Sequence, residues 1–335
     1  MTIRDYIPKE QFRYYFTQLE NKEQQVYLAL LEGMLNFTNS IKCLCSVDRV
    51  QEIYHMIKYD IPEIFYVKTI KIRYISNGLT CTVVPTYRFN VKEALATLQA
   101  LDSKYSFFIS HTYILNDFEK EKAIHDLIAT MVKYKDVDAP YSHEAPGTLL
   151  YGIGVCEGIS KAFKYLADRV GLKSIVVIGT SNAHGNDNGH AWNAVEIGNI
   201  YYHLDVTFDT TIADGCLRYD YFNLSDDEIK TNHSWTMSIP KCLSSYNYYY
   251  KTGAFFSSKS ELAGYIRKMC RKNNIIVFQV PMFEGEKDVA IEAIRDTIRK
   301  NIICSIFETT KYFISYNTDR MVFQICTQSE KIFRE

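Results

Sequence analysis

The chain has 335 residues, 47% hydrophobic and 23% charged, with a formal net charge of −1 at pH 7. That is the balance of an ordinary globular protein with room for two or three domains, and it gives no electrostatic case for nucleic acid or an anionic membrane surface as partner. No apolar run reaches membrane-spanning length, Met1 to Glu20 has no apolar signal core, and nine scattered cysteines do not form a secreted disulfide framework, so the sequence reads as cytoplasmic with reduced thiols.

Residues 1–104 read as an N-terminal α/β segment. Lys22 to Phe37 has helical periodicity, Ser40 to Ser46 is strand-like, Val47 to Tyr59 is helical, and Ile64 to Ile75 with Leu79 to Phe89 predicts a hairpin about Asn77-Gly78. Cys43-Leu-Cys45 suits alternate residues of a strand, and with no second close pair or His-x3-His partner it predicts buried thiols and no metal. From Val91 to Lys135 the pattern is helical in two pieces broken near His111 to Asn116. Asp136 to Pro146 follows as a polar loop in which His143 and Glu144 read as solvated.

Residues 105–250 carry the chemistry. Gly152 and Gly154 precede Cys156, and Ile159, Ala162, Phe163, Leu166 and Val170 then recur at helical spacing until Gly171, which predicts an amphipathic helix with Cys156 in its first turn. Backbone N–H groups there favour a thiolate and can hold an oxyanion, whereas a cysteine with no base beside it is more often a buried structural thiol. The base comes from the next elements. Ala191 to Ile197 and Ile200 to Thr207 flank Gly198-Asn199, the signal of a two-residue hairpin turn. With Ile197 opposite Ile200, Trp192 falls opposite Asp205 and His190 opposite Thr207, so His190, Trp192, His203 and Asp205 share a face. Asp205 and Asp209 are both diagonal to His190, roughly 7–8 Å away at the backbone, and Asp205 is preferred because it lies inside the strand run. Trp192 is expected to shield the imidazole–carboxylate bond.

Ser245-Tyr-Asn-Tyr-Tyr-Tyr250 closes this part, as a strand packed on its neighbour or as an aromatic binding surface. Residues 251–335 read as a C-terminal α/β segment: a strand from Ile275, a helix over Lys287 to Asn301, a strand over Ile302 to Phe307 and a hairpin about Asn317-Thr318-Asp319. The order strand, helix, strand, strand echoes the first segment.

Three stretches, Gly-Ile-Gly-Val-Cys156-Glu-Gly-Ile-Ser-Lys-Ala-Phe, Gly189-His190-Ala-Trp-Asn and Tyr-Tyr-His-Leu-Asp205-Val-Thr-Phe-Asp, resemble the core motifs of the transglutaminase-like superfamily, and within it the bacterial transglutaminase-like domain proteins. Glu121-Lys-Ala-Ile-His-Asp-Leu-Ile, Tyr134 and Tyr141-Ser142 are similar to the segments leading into that cysteine, and Tyr219 to Glu228 with His233 to the segment after the aspartate. The resemblance spans roughly Phe118 to Cys242. It implies an α+β fold, a papain-like transglutaminase core with flanking N- and C-terminal α/β segments. In that core Cys156 attacks an amide carbonyl, His190 shuttles the proton and Asp205 orients the ring. No side-chain oxyanion donor is matched; Tyr151, Tyr141, Ser142 and Trp192 are the candidates for that role or for touching substrate. The expected reaction is thiol-dependent acyl transfer, foremost hydrolysis of a peptide or protein amide, with no cofactor. A cross-linking transglutaminase and a non-catalytic scaffold are the alternatives.

Overall fold

The computed structural model describes residues 1–74, 80–138, 141–182, 188–213, 216–281, 287–303 and 311–328. Its N-terminal part comprises α1 (Tyr14–Thr17), α2 (Asn21–Leu35), β1 (Ile41–Cys43), α3 (Val47–Asp60), β2 (Val67–Tyr74) and β3 (Cys81–Tyr87). The strands form an antiparallel sheet of order β1-β3-β2. The expected hairpin strands do pair, while its Asn77-Gly78 turn lies outside the described residues. Cys43 and Cys81 face each other across β1 and β3 as free thiols.

Helix α4 (Val91–Tyr113) starts at Asn90, whose side chain accepts the Glu93 N–H at 3.0 Å. Its first turns place Ala94 and Leu98 in the N-terminal core, and its next turns place Leu101 and Tyr105 in the central one. Residue 104 therefore sits inside a continuous helix that joins the two cores. Asn116 caps α5 (Asp117–Met131) in the same way, giving the expected break.

The central part begins with β4 (Lys133–Tyr134), α6 (Ala145–Tyr151) and β5 (Ile153–Gly154), with β4 and β5 paired in parallel. Helix α7 (Cys156–Arg169) follows directly, with Gly158 to Asp168 buried. Then come β6 (Ser174–Ser181), β7 (Asn188–Ile197), β8 (Ile200–Leu204), α8 (Val206–Thr211), β9 (Phe222–Leu224), α9 (Asp226–Ile229) and β10 (His233–Ser234). These strands form an antiparallel sheet of order β10-β6-β7-β8-β9. Both faces are covered. Ile175, Val177, Trp192 and Ala194 pack with Tyr14 and Tyr15 of the N-terminal part, while Val195 and Leu204 join the core that holds Ile159 and Phe163 of α7.

The chain closes with α10 (Tyr248–Lys251), α11 (Lys259–Met269), β11 (Ile275–Gln279), α12 (Lys287–Ile303), β12 (Lys311–Asn317) and β13 (Val322–Gln328). The last sheet has the order β11-β13-β12, all antiparallel, so strand, helix, strand, strand with the last strand central recurs at both ends of the chain. Two expectations are corrected. The tyrosine run is helical, because Asn247 caps α10 by accepting the Tyr250 N–H at 3.0 Å; Tyr249 is buried, and Tyr248 stacks on Tyr219 at 3.7 Å. Ile302 extends α12 where a strand was expected, and residues 304–307 of that expectation lie outside the described residues. Phe278, Ile294 and Phe323 belong to the same hydrophobic cluster as Phe163 and Leu166, so the C-terminal part shares the central core. No helix of the described residues is long and apolar enough to cross a membrane.

Candidate active site

Cys156 is the first residue of α7, as the glycine-flanked pattern predicts. The Val155 N–H donates to the Ser142 carbonyl at 3.0 Å, which fixes how the chain enters the helix. Gly158 makes that approach possible, since a Cβ there would lie 2.0 Å from the Ser142 oxygen. The loop before it is not solvated throughout. Glu144 is buried and accepts from Lys161 Nζ at 3.1 Å, Lys161 also bonds Glu157 at 2.6 Å, and Lys58 of α3 reaches the same Glu144. His143 is half exposed and bridges Asp136 and Glu157.

The β7–β8 hairpin has the expected register, with Ile197 opposite Ile200 and Gly198 and Asn199 both at positive φ. Pairing ends at Asn193 and Leu204. Asp205 then leaves the ladder to cap α8: its Oδ1 accepts the Phe208 N–H at 3.1 Å, and Thr207 lies in the helix, not opposite His190. An aspartate three residues before a free N–H is an N-cap, and that local signal overrides the β-prone composition of Ile200 to Thr207.

The turn of the chain brings the groups together. His190 Nε2 lies 2.6 Å from Asp205 Oδ2, and both residues are buried. The other edge of the ring is left for Cys156. Burial lowers the His190 pKa, but the charge and hydrogen bond of Asp205, reinforced by those of Cys156, push it up to about 10. Burial likewise opposes ionisation of Asp205, yet the charge and hydrogen bond of His190 and the hydrogen bond from His233 hold its carboxyl well below the usual range. Asp209 points elsewhere, accepting the Tyr221 N–H at 2.9 Å and meeting His125 of α5 at 3.2 Å.

Trp192 is 1% exposed and stacks on the His190 ring at 5.9 Å, so it covers the imidazole from within and has no surface for substrate. Tyr151 is exposed at the end of α6, Tyr141 packs on Phe89 and beneath Arg88, and Ser142 Oγ is engaged with the Val137 backbone. None of the three contacts the Cys156 side chain among the described interactions. Tyr134 does. Burial, then the charge and hydrogen bonding of the Cys156 side chain, raise its pKa, and its hydroxyl also meets the Cys156 backbone N–H. The pairing of Tyr134 with Gly154 puts it there, a long-range contact that no local pattern encodes. His233 is the second residue missed in this role, with Nε2 3.0 Å from Asp205 Oδ2.

A cleft of about 530 Å³ opens beside this cluster; Tyr134 and His190 line it, and Cys156 is not among its lining residues. Gly189 and Phe208 also line it, together with Asn317 at the end of β12 and Asp319 of the β12–β13 turn. Among the described residues, two clusters have donor spacing that a metal could use, His190-Asp205-His233 and His203-Asp226-Cys242. In the second, His203 Nδ1 accepts the Trp192 N–H at 3.0 Å, which leaves the proton on Nε2 facing Asp226 and no lone pair for a metal. In the first, both imidazoles sit at direct hydrogen-bond distance from one carboxylate oxygen, the geometry of proton sharing.

Residues 111–206, which include Cys156, His190 and Asp205, match the Transglutaminase-like superfamily. No curated protein matches the chain. Among solved structures it is similar to a candidate cysteine protease from Cytophaga hutchinsonii, at 15% identity over 42% of this chain and 61% of that one, TM-score 0.28. It is also similar to a TGase, at 13% over 68% and 66%, TM-score 0.28, and to a candidate protease from Parabacteroides distasonis, at 10% over 78% and 62%, TM-score 0.27. The chain spans less than two thirds of the length of each of these proteins.

A raised histidine pKa makes a signed prediction. The stability that His190 contributes through its charged form is fully present below about pH 6.5 and is lost as pH rises through about 10. The gap in unfolding free energy between wild type and His190→Gln, measured by denaturant titration, should therefore be widest below pH 6.5 and close towards pH 10. A gap that widens with pH contradicts the charged assignment.

Proposed function

We propose that this protein is a transglutaminase-like thiol enzyme that hydrolyses a peptide or protein amide. The observation that carries the reading is one imidazole, His190, held at Nε2 by buried Asp205 and meeting, at its other edge, a cysteine at the N-terminus of a buried helix. The helix N-terminus and the adjacent imidazolium of His190 favour the thiolate form of Cys156 as the nucleophile. Its sulfur attacks the amide carbon, the carbonyl electrons move to oxygen, and the tetrahedral oxyanion lies against the Cys156 N–H. On collapse the C–N bond breaks, the nitrogen takes the His190 proton and the amine departs, leaving a thioester on Cys156. Water then gives a proton to His190 and its oxygen to the acyl carbon, the C–S bond breaks, and the acid is released with the thiolate and imidazolium restored.

In the free enzyme the Tyr134 hydroxyl occupies the place beside the Cys156 N–H. An oxyanion arriving there displaces it from the N–H and receives its O–H instead, which makes Tyr134 the side-chain donor of the oxyanion hole. The cleft lining includes half-buried Ser181 and exposed Asn188, hydrophilic groups that admit water as the second nucleophile. That supports hydrolysis ahead of transfer to an amine, for which a water-excluding channel is needed.

Asp205→Asn should lower kcat and kcat/KM together by roughly 10³–10⁴-fold with little change in KM, because the carboxylate acts on the imidazolium and not on substrate binding. Asp209→Asn should keep kcat and lose stability instead, since Asp209 holds buried His125. Activity lost with Asp209→Asn and kept with Asp205→Asn would move the site.

Tyr134→Phe should cost about 10²–10³-fold in kcat. Cleavage of a peptide library with and without added primary amine, read by mass spectrometry, tests the acceptor: new carboxylates are expected in both, none with Cys156→Ala. Products formed only with amine would make the enzyme a transferase.

A further inference from the structure

Asp205 serves more than His190. Its Oδ1 accepts the Phe208 N–H at 3.1 Å, and its Oδ2 meets two imidazoles, His190 at 2.6 Å and His233 at 3.0 Å. The far edge of His233 is equally constrained. Its Nδ1 lies 2.6 Å from Asn232 Oδ1, and the orientation of that amide is set on its other side, where Asn232 Nδ2 donates to the Asp319 carboxylate at 3.1 Å and to the Tyr221 hydroxyl at 2.6 Å. A carboxylate oxygen and an amide oxygen only accept. Each His233 nitrogen therefore faces an acceptor, and satisfying both requires a proton on each.

We propose that His233 is a positioning residue, a second imidazolium on the Asp205 carboxylate that locks its orientation and shares its charge with His190. The inference rests on the reading of Cys156 and His190 given above. Charge balance favours it. Two imidazoliums, one carboxylate and one thiolate sum to zero, and a neutral set of ions is what a buried site tolerates. Local packing also favours it. Gly179 lies opposite His190, and a Cβ there would fall 2.1 Å from the Ser234 carbonyl and 2.8 Å from Trp192, so only glycine at this position lets β10 carry His233 so close.

The consequence for catalysis is electrostatic. Asp205 alone would grip the His190 proton strongly; a second cation whose ring centre is 5.2 Å from that of His190 weakens the grip and makes the ring a readier donor to the leaving amine. The other ionisable groups facing His233 among the described residues come from each neighbouring element. They are Asp205 at the start of α8, His203 of β8 beyond Trp192, Tyr221 before β9, and Asp319 of the β12–β13 turn across Asn232. Burial of His203 and the charge of His233 both lower the His203 pKa, and Tyr221 stays neutral, so Asp205 is the anion that answers both rings.

Two measurements decide it. In protein carrying ¹⁵N-histidine, long-range ¹H–¹⁵N correlation at neutral pH should place both ring nitrogens of His233 in the protonated range. The signal is assigned against His233→Gln or, should that variant not fold, through its contacts with Trp192 and Phe208. A bare nitrogen overturns the proposal. The second is the pH profile of Cys156 alkylation by iodoacetamide, which needs no substrate. The step that marks loss of the His190 proton should move to higher pH in His233→Gln by about half a unit or more, the effect of two unit charges at such a distance even in water. A lower rate with an unmoved step would mean that His233 only packs. A wild-type profile without any imidazole-linked step would instead remove the Cys156–His190 pair on which the inference stands.

Discussion

A single buried carboxylate sets the terms for the region around the candidate site. Asp205 has no solvent exposure, and an unpaired charge there would cost several kcal/mol, so each donor around it is a structural requirement as well as a chemical one. The donors arrive from three directions: the first turn of α8, the middle strand of the sheet and its edge strand β10. The β7–β8 register, the α8 cap and the close approach of β10 at Gly179 are therefore held by one another. Satisfying Asp205 fixes the imidazole of His190, and fixing the imidazole aims it at Cys156.

The second anchor is α7, which is buried although it carries lysines. Lys161 is neutralised by Glu144 and Glu157, while Lys164 bonds Asp168 and the Phe12 carbonyl. Gln11 reaches Asp168 and Arg169 reaches Glu63, so the N-terminal part grips the same helix and covers one face of the sheet. This gives the first ninety or so residues a physical task, holding the helix whose end presents the sulfur. The C-terminal part differs in that it reaches the cleft directly, through the β12–β13 turn.

Much of this was legible in the sequence because it is local. The helix after Cys156, the Gly198-Asn199 hairpin and its register, and the α5 break at Asn116 all follow from spacing and capping. What escaped has a common cause, which is contact between residues distant in the chain. Tyr134 meets Cys156 through a two-residue parallel pairing, and His233 meets Asp205 across the sheet; neither partner is within twenty residues of the other. A strand register puts Asp205 beside His190, and its N-cap role delivers the same contact by another geometry. At Tyr248 to Lys251 the local cap at Asn247 outweighs the β-propensity of the tyrosines.

The central claim is that Cys156 is the activated nucleophile of this chain, and alkylation at limiting iodoacetamide near neutral pH tests it most directly. Burial pushes the Cys43 thiol up to about 12 and also raises Cys45, Cys81, Cys242 and Cys270, which disfavours their thiolates, while Cys156 sits at a helix N-terminus against an imidazole. Mass-spectrometric mapping of all nine cysteines should find Cys156 modified first, and His190→Gln should abolish that preference. Another cysteine modified first in the folded protein, or a Cys156 whose reactivity ignores the loss of His190, would contradict it.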